Sequence, residues 1–180
     1  GQGVRKLTVG GELVLSRHEK TFYNKTGLAA LVGSDISQAD LEAKLKVWNA
    51  FQFERVGLNL RPELVALKDV GGDAAAFAAK AKTIAETSEF TLILMTEDPE
   101  VMKAGVEACK FKRPLMYAAT AANVDAFGAL AKENDLPLAV KADSVEALIP
   151  LSDKLTAMGL KDLVLDPGSR EIKQSFTDQV

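Results

Sequence analysis

The chain has 180 residues, 47% of them hydrophobic and 26% charged, the make-up of a folded domain with one sizeable core and not of a disordered or fibrous chain. A formal net charge of -3, a pI near 5.3 and 22 Lys and Arg spread along the sequence argue against a nucleic-acid partner. No apolar run approaches the ~20 residues of a membrane span, and the N-terminus has no apolar signal-peptide core, so a cytoplasmic protein with no membrane partner is expected.

Residues 4–9 and 12–15 flank Gly10-Gly11 and read as a short hairpin ahead of the main fold. From Leu28 onward short apolar runs alternate with stretches of helical spacing. Residues 28–32 have the composition of a strand buried on both faces, and Asp35 or Ser37 then offers the cap of a helix carrying Leu41, Leu45 and Trp48. Residues 64–67 lead through Gly71-Gly72 into a helix with Phe77, Ala81 and Ile84; residues 55–58 are a rival strand, less favoured because they do not run directly into that helix. In the third unit, residues 91–95 precede Asp98-Pro99, a cap and a first-turn proline, and Met102, Val106 and Cys109 form the buried stripe.

Residues 114–118 lead to Asn123 as a cap and to Val124, Phe127 and Leu130. Residues 137–140 lead to Ser144 and a helix ending at Gly159, in which Pro150 removes an internal hydrogen bond and is expected to kink or divide it. Residues 163–165, then Asp166-Pro167-Gly168, open a last helix bearing Ile172, Phe176 and Val180, still in progress where the sequence stops. The expected organisation is a lead-in over residues 1–26 and an α/β domain over 27–180. Six alternating units fit either a doubly wound sheet or three-quarters of an eight-stranded barrel, and no G-x-G-x-x-G follows any strand, which weakens the nucleotide-binding sheet.

In both folds a functional site lies where strands end and helices begin. Those positions hold Asp35, Asp69, Thr96, Glu97, Asp98, Thr120, Asn123, Asp143 and Asp166, a polar, acidic set better suited to a heteroaromatic ring than to phosphate. Capping alone accounts for Asp98, Asn123 and Ser144, and Asp166 is a turn former that also closes a strand on the functional face. Lys141 stands where barrel aldolases form a Schiff base, a role that needs a buried amine. The one cysteine, Cys109, excludes a disulfide framework and an iron–sulfur site held by about four thiolates. The one histidine, His18, excludes a His-rich zinc site of roughly three or four ligands. It sits in Arg17-His18-Glu19-Lys20, a charge cluster read as a solvated face, and is itself read as structural or a partner contact.

Five segments carry a resemblance: Arg17-His18-Glu19-Lys20-Thr21-Phe22-Tyr23, Leu94-Met95-Thr96-Glu97-Asp98-Pro99, Pro114-Leu115-Met116-Tyr117-Ala118-Ala119-Thr120, Leu130-Ala131-Lys132-Glu133-Asn134 and Leu163-Val164-Leu165-Asp166-Pro167-Gly168-Ser169-Arg170-Glu171. Together, in this order, the chain resembles the large (gamma) subunit of the corrinoid iron–sulfur protein of acetyl-CoA synthase and decarbonylase systems. That family has a cluster-binding domain, a central TIM-type barrel and a corrinoid-binding domain. The resemblance implies that this chain is the barrel portion: a TIM-type (β/α)8 barrel present as about six βα units, preceded by a short β-hairpin, with two more units to follow Val180.

It also implies a methyl carrier between a methyltetrahydropterin methyltransferase and acetyl-CoA synthase, paired with a small subunit. The corrinoid cobalt and the [4Fe–4S] cluster are expected in the full-length protein, with no cofactor, catalytic residue or metal ligand in this segment. Related pterin-binding barrels place an Asn after the fourth strand and Asp-Pro-Gly after the sixth, where Asn123 and Asp166 fall. Asp98, Asn123 and Asp166 are therefore the candidates for a ligand face. The alternative readings are a pterin-binding methyltransferase barrel using these three residues and a Schiff-base aldolase using Lys141.

Overall fold

The computed structural model describes residues 7–9, 24 and 26–178. The expected N-terminal hairpin, His18 and the Arg17–Lys20 cluster fall outside these residues, apart from residues 7–9, which are in neither strand nor helix. The chain then runs β1 (Ala29–Gly33), α1 (Gln38–Ala50), β2 (Phe53–Arg55), β3 (Leu58–Leu60), β4 (Leu64–Lys68), α2 (Ala74–Thr87), β5 (Thr91–Met95) and α3 (Pro99–Cys109). A 3-10 turn at Lys110–Lys112 follows, and then β6 (Leu115–Ala119), α4 (Val124–Asn134), β7 (Leu138–Lys141), α5 (Val145–Ala157), β8 (Leu163–Asp166) and α6 (Ile172–Asp178).

Strand order decides what periodicity left open. The main sheet runs β1-β4-β5-β6-β7-β8, every pair parallel. A doubly wound sheet reverses direction once and puts helices on both faces. Here each strand adds beside its predecessor, so right-handed crossovers keep all helices on one side, as in a barrel wall. Alternate strand residues confirm the two faces. Val32, Val65, Leu67, Leu92, Leu94, Met116, Leu138 and Val140 join the core under the helices with Leu41, Phe77, Met102, Phe127 and Leu155. Their neighbours Leu31, Ala66, Ile93 and Leu115 pair across successive strands as a layer of the inner face.

Local chemistry explains most boundaries. The α1 cap is Ser37, whose hydroxyl accepts from the Asp40 amide at 3.1 Å. Asp73, Asp98 and Ser144 cap α2, α3 and α5 in the same way. Lys112, only 8% exposed, donates from Nζ to the carbonyl of Ser88 at 3.0 Å, placing a cation at the negative end of α2. Residues 64–67 are indeed the second strand of the sheet, and the rival 55–58 is the turn between β2 and β3, with Val56 and Gly57 both at positive φ.

Two expectations, for Pro150 and Asn123, are corrected. Pro150 does not divide α5, which is one helix from Val145 to Ala157; the carbonyl it leaves unpaired belongs to the exposed Glu146, where water can replace the bond. Ile172, the first residue of α6, is 90% exposed. Helix α6 follows β8, an edge strand of the sheet, whose Leu165 is itself 53% exposed. Asn123 stands at the start of α4 but makes no capping bond; its bonds are described below.

Two helix glycines mark close approaches of different kinds. A Cβ on Gly105 of α3 would lie 2.6 Å from Phe77 Cε1, on a rigid ring. On Gly128 of α4 it would meet the ends of Leu155 and Met158 at 2.8 and 2.9 Å, which can swing aside. Gly105→Ala is therefore expected to destabilise by about 1–3 kcal/mol through overpacking, while Gly128→Ala stays within roughly 1 kcal/mol of the parent because its helix-propensity gain offsets the repacking. Urea unfolding of both variants checks this, and equal losses would contradict it.

Candidate functional site

Because all six strands of the main sheet are parallel, their C-terminal ends share one rim. The loops on that rim are tied to one another. The Ser34 hydroxyl, buried, accepts from the Val70 amide at 2.9 Å. Asp69 accepts from Thr96 Oγ1 at 3.0 Å and from the Gly72 amide at 3.1 Å, and Thr96 Oγ1 in turn accepts from the Asp98 amide at 3.2 Å. The Thr96 amide donates to the carbonyl of Tyr117 at 2.9 Å.

Asn123 is the keystone of the fourth loop. It is 7% exposed, and its Nδ2 donates to the Glu97 carbonyl at 2.8 Å and the Ala118 carbonyl at 3.4 Å, while Oδ1 accepts from the Thr120 amide at 2.6 Å. An amide side chain is used here because the site needs a donor and an acceptor from one residue. Lys141 Nζ reaches back to Glu97 Oε1 at 2.8 Å. This ion-paired, partly exposed ammonium is not the desolvated amine that Schiff-base chemistry requires.

Asp166 closes the ring. Tyr117 Oη donates to its Oδ2 at 2.5 Å, the Gly168 amide to Oδ1 at 2.9 Å, and Arg170 forks onto both oxygens at 3.0 and 2.8 Å. Gly168 is required: its φ is +78°, and a Cβ there would lie 2.6 Å from the carbonyl oxygen of Ala142. The Arg170 fork holds the Asp166 carboxyl down to about 2 despite its partial burial. Burial and donation to that carboxylate push the Tyr117 phenol up to about 12.

These shifts have opposite signs as stability terms. The depressed Asp166 contributes fully above the ordinary carboxylate range of ~4 and is lost as pH falls through about 2, whereas the raised Tyr117 contributes below ~10 and is lost as pH rises through about 12. The expected titration midpoint of the Asp166 carboxyl, read by carbon-13 NMR, is about 2 in the parent and higher in Arg170→Ala. A midpoint in the parent near ~4 would mean that the fork is not formed in solution.

Of the residues expected at the strand ends, Asp69, Thr96, Glu97, Thr120, Asn123 and Asp166 join this network, Asp98 caps α3, and Asp35 and Asp143 are exposed. Tyr117 and Arg170 were missed. Alternation supplies the signal for Tyr117, since Met116 faces the helices and its neighbour must face inward. Arg170 lies one turn-length beyond Asp166, in reach only once the Asp-Pro-Gly bend is formed.

Two clefts lie on other parts of the surface. One of about 590 Å³ is lined by Glu42, Leu45, Lys46, Asn49 and Ala50 of α1 with Thr87 of α2. The other, about 310 Å³, lies at the opposite end of the strands, where Arg113 donates to the Asp135 carbonyl at 2.9 Å and to Asp162 Oδ2 at 2.7 Å, pinning two connections together. Cys109 is wholly buried with its thiol pushed up to about 12 by that burial, and its Sγ donates to the Gly105 carbonyl, as a core residue would.

Over residues 1–180 the sequence matches the family described as CO dehydrogenase/acetyl-CoA synthase delta subunit. The chain belongs to that family. Curated relatives bear large- or gamma-subunit names. The corrinoid/iron-sulfur protein large subunit of Moorella thermoacetica is 40% identical over 178 residues, 99% of this chain and 40% of that protein. The acetyl-CoA decarbonylase/synthase complex subunit gamma of Methanopyrus kandleri is 38% identical over 170 residues, 94% of this chain and 36% of that protein. The chain thus spans 40% or less of the length of these two relatives. Among solved structures, dihydropteroate synthase from Yersinia pestis superposes with a TM-score of 0.59 at 15% identity, covering 95% of this chain and 67% of that one. Dihydropteroate synthase from Xanthomonas albilineans, in complex with 7,8-dihydropteroate, gives 0.53 at 15% identity, covering 80% and 59%. At that identity the likeness establishes the TIM-type barrel fold for this family member and nothing about its ligands.

Proposed function

We propose that these residues are the barrel segment of a corrinoid iron–sulfur methyl carrier, serving as a scaffold and as an interface for the small subunit. In the whole protein, a corrinoid cobalt takes a methyl group from a methyltetrahydropterin methyltransferase and delivers it to acetyl-CoA synthase, and a [4Fe–4S] cluster returns the cobalt to its reactive state. The setting is cytoplasmic; no helix among the described residues is long and apolar enough to cross a membrane.

Family membership supports this reading. The observation that carries it is the state of the rim: Asn123 and Asp166, two of the three ligand-face candidates, direct their polar atoms at neighbouring loops, and the third, Asp98, at the helix it caps. Among the described residues no group of three or more His, Cys, Asp or Glu is placed to hold a metal ion, and the Cys109 thiol is buried in the helix layer. The described residues do not fit a cluster or a cobalt ligand set.

The scaffold reading expects the full-length protein to form a stable one-to-one complex with the small subunit in size-exclusion chromatography with light scattering. Failure to associate would overturn it. The rival reading, a pterin-binding barrel acting on its own ligand, rests on the dihydropteroate synthase-like fold and on the positions of Asn123 and Asp166. Calorimetry with methyltetrahydrofolate separates the two, because saturable binding that is abolished in a folded Asn123→Ala variant would replace the scaffold-only role.

A further inference from the structure

We draw no further inference here: the strongest candidate, the exposed apolar patch of Phe51, Phe53, Val56 and Leu60 on and beside the β2–β3 hairpin, carries none because nothing in the structure shows what covers it.

Discussion

Phe77→Ala is expected to lower the unfolding free energy by about 3–5 kcal/mol, the range for truncating a buried aromatic residue. Phe77 is 0% exposed, sits in α2 under α3, and has its ring against Gly105, where the helix backbone comes close because no Cβ intervenes. Collapse around the missing ring is restricted, since the neighbouring strands β4 and β5 are locked in register on both sides. The cavity term therefore adds to the lost transfer energy instead of relaxing away. Urea denaturation measures it, and a loss below about 1.5 kcal/mol would mean that the α2–α3 layer packs differently in solution.

Asn123→Asp is expected to cost about 3–5 kcal/mol, more than the roughly 2–3 expected of Asn123→Ala. The aspartate keeps an oxygen for the Thr120 amide but turns its second oxygen toward the carbonyls of Glu97 and Ala118, at positions where the native amide donates. Two acceptors then face a nearly buried negative charge. Protonation restores one donor, so this variant should regain stability as pH falls from 7 toward 4, whereas the alanine variant has no such group to protonate. Thermal unfolding across that range distinguishes the two, and parallel pH profiles would show that Asn123 does not bridge these loops.

Much of the barrel is readable from residues alone because each unit repeats a short apolar run, a cap and a helical stripe, as Thr91–Met95, Asp98 and Met102 do. Strand order is not readable, since every βα unit has the same periodicity whichever neighbour it joins. The β2–β3 hairpin escaped notice because three residues per strand carry too little alternation, and its turn uses Val56, which is not a turn former, beside Gly57. At the rim, sequence identifies which polar residues arrive but not what they bond. Asn123 has the position of a cap and the role of a bridge, a difference set by where Glu97 lies in space. Tyr117 and Asp166 are far apart in sequence and meet only because β6 and β8 flank β7.

The loops of the rim bond to each other, from Ser34 and Val70 through Asp69, Thr96, Glu97 and Asn123 to Lys141 and Asp166. Ordering a mobile side chain on association costs about 0.5–1.5 kcal/mol. A partner docking on this face meets groups whose freedom was already surrendered in folding, so the surface behaves as a stiff abutment: it can fix the angle of whatever leans on it without first having to be stiffened.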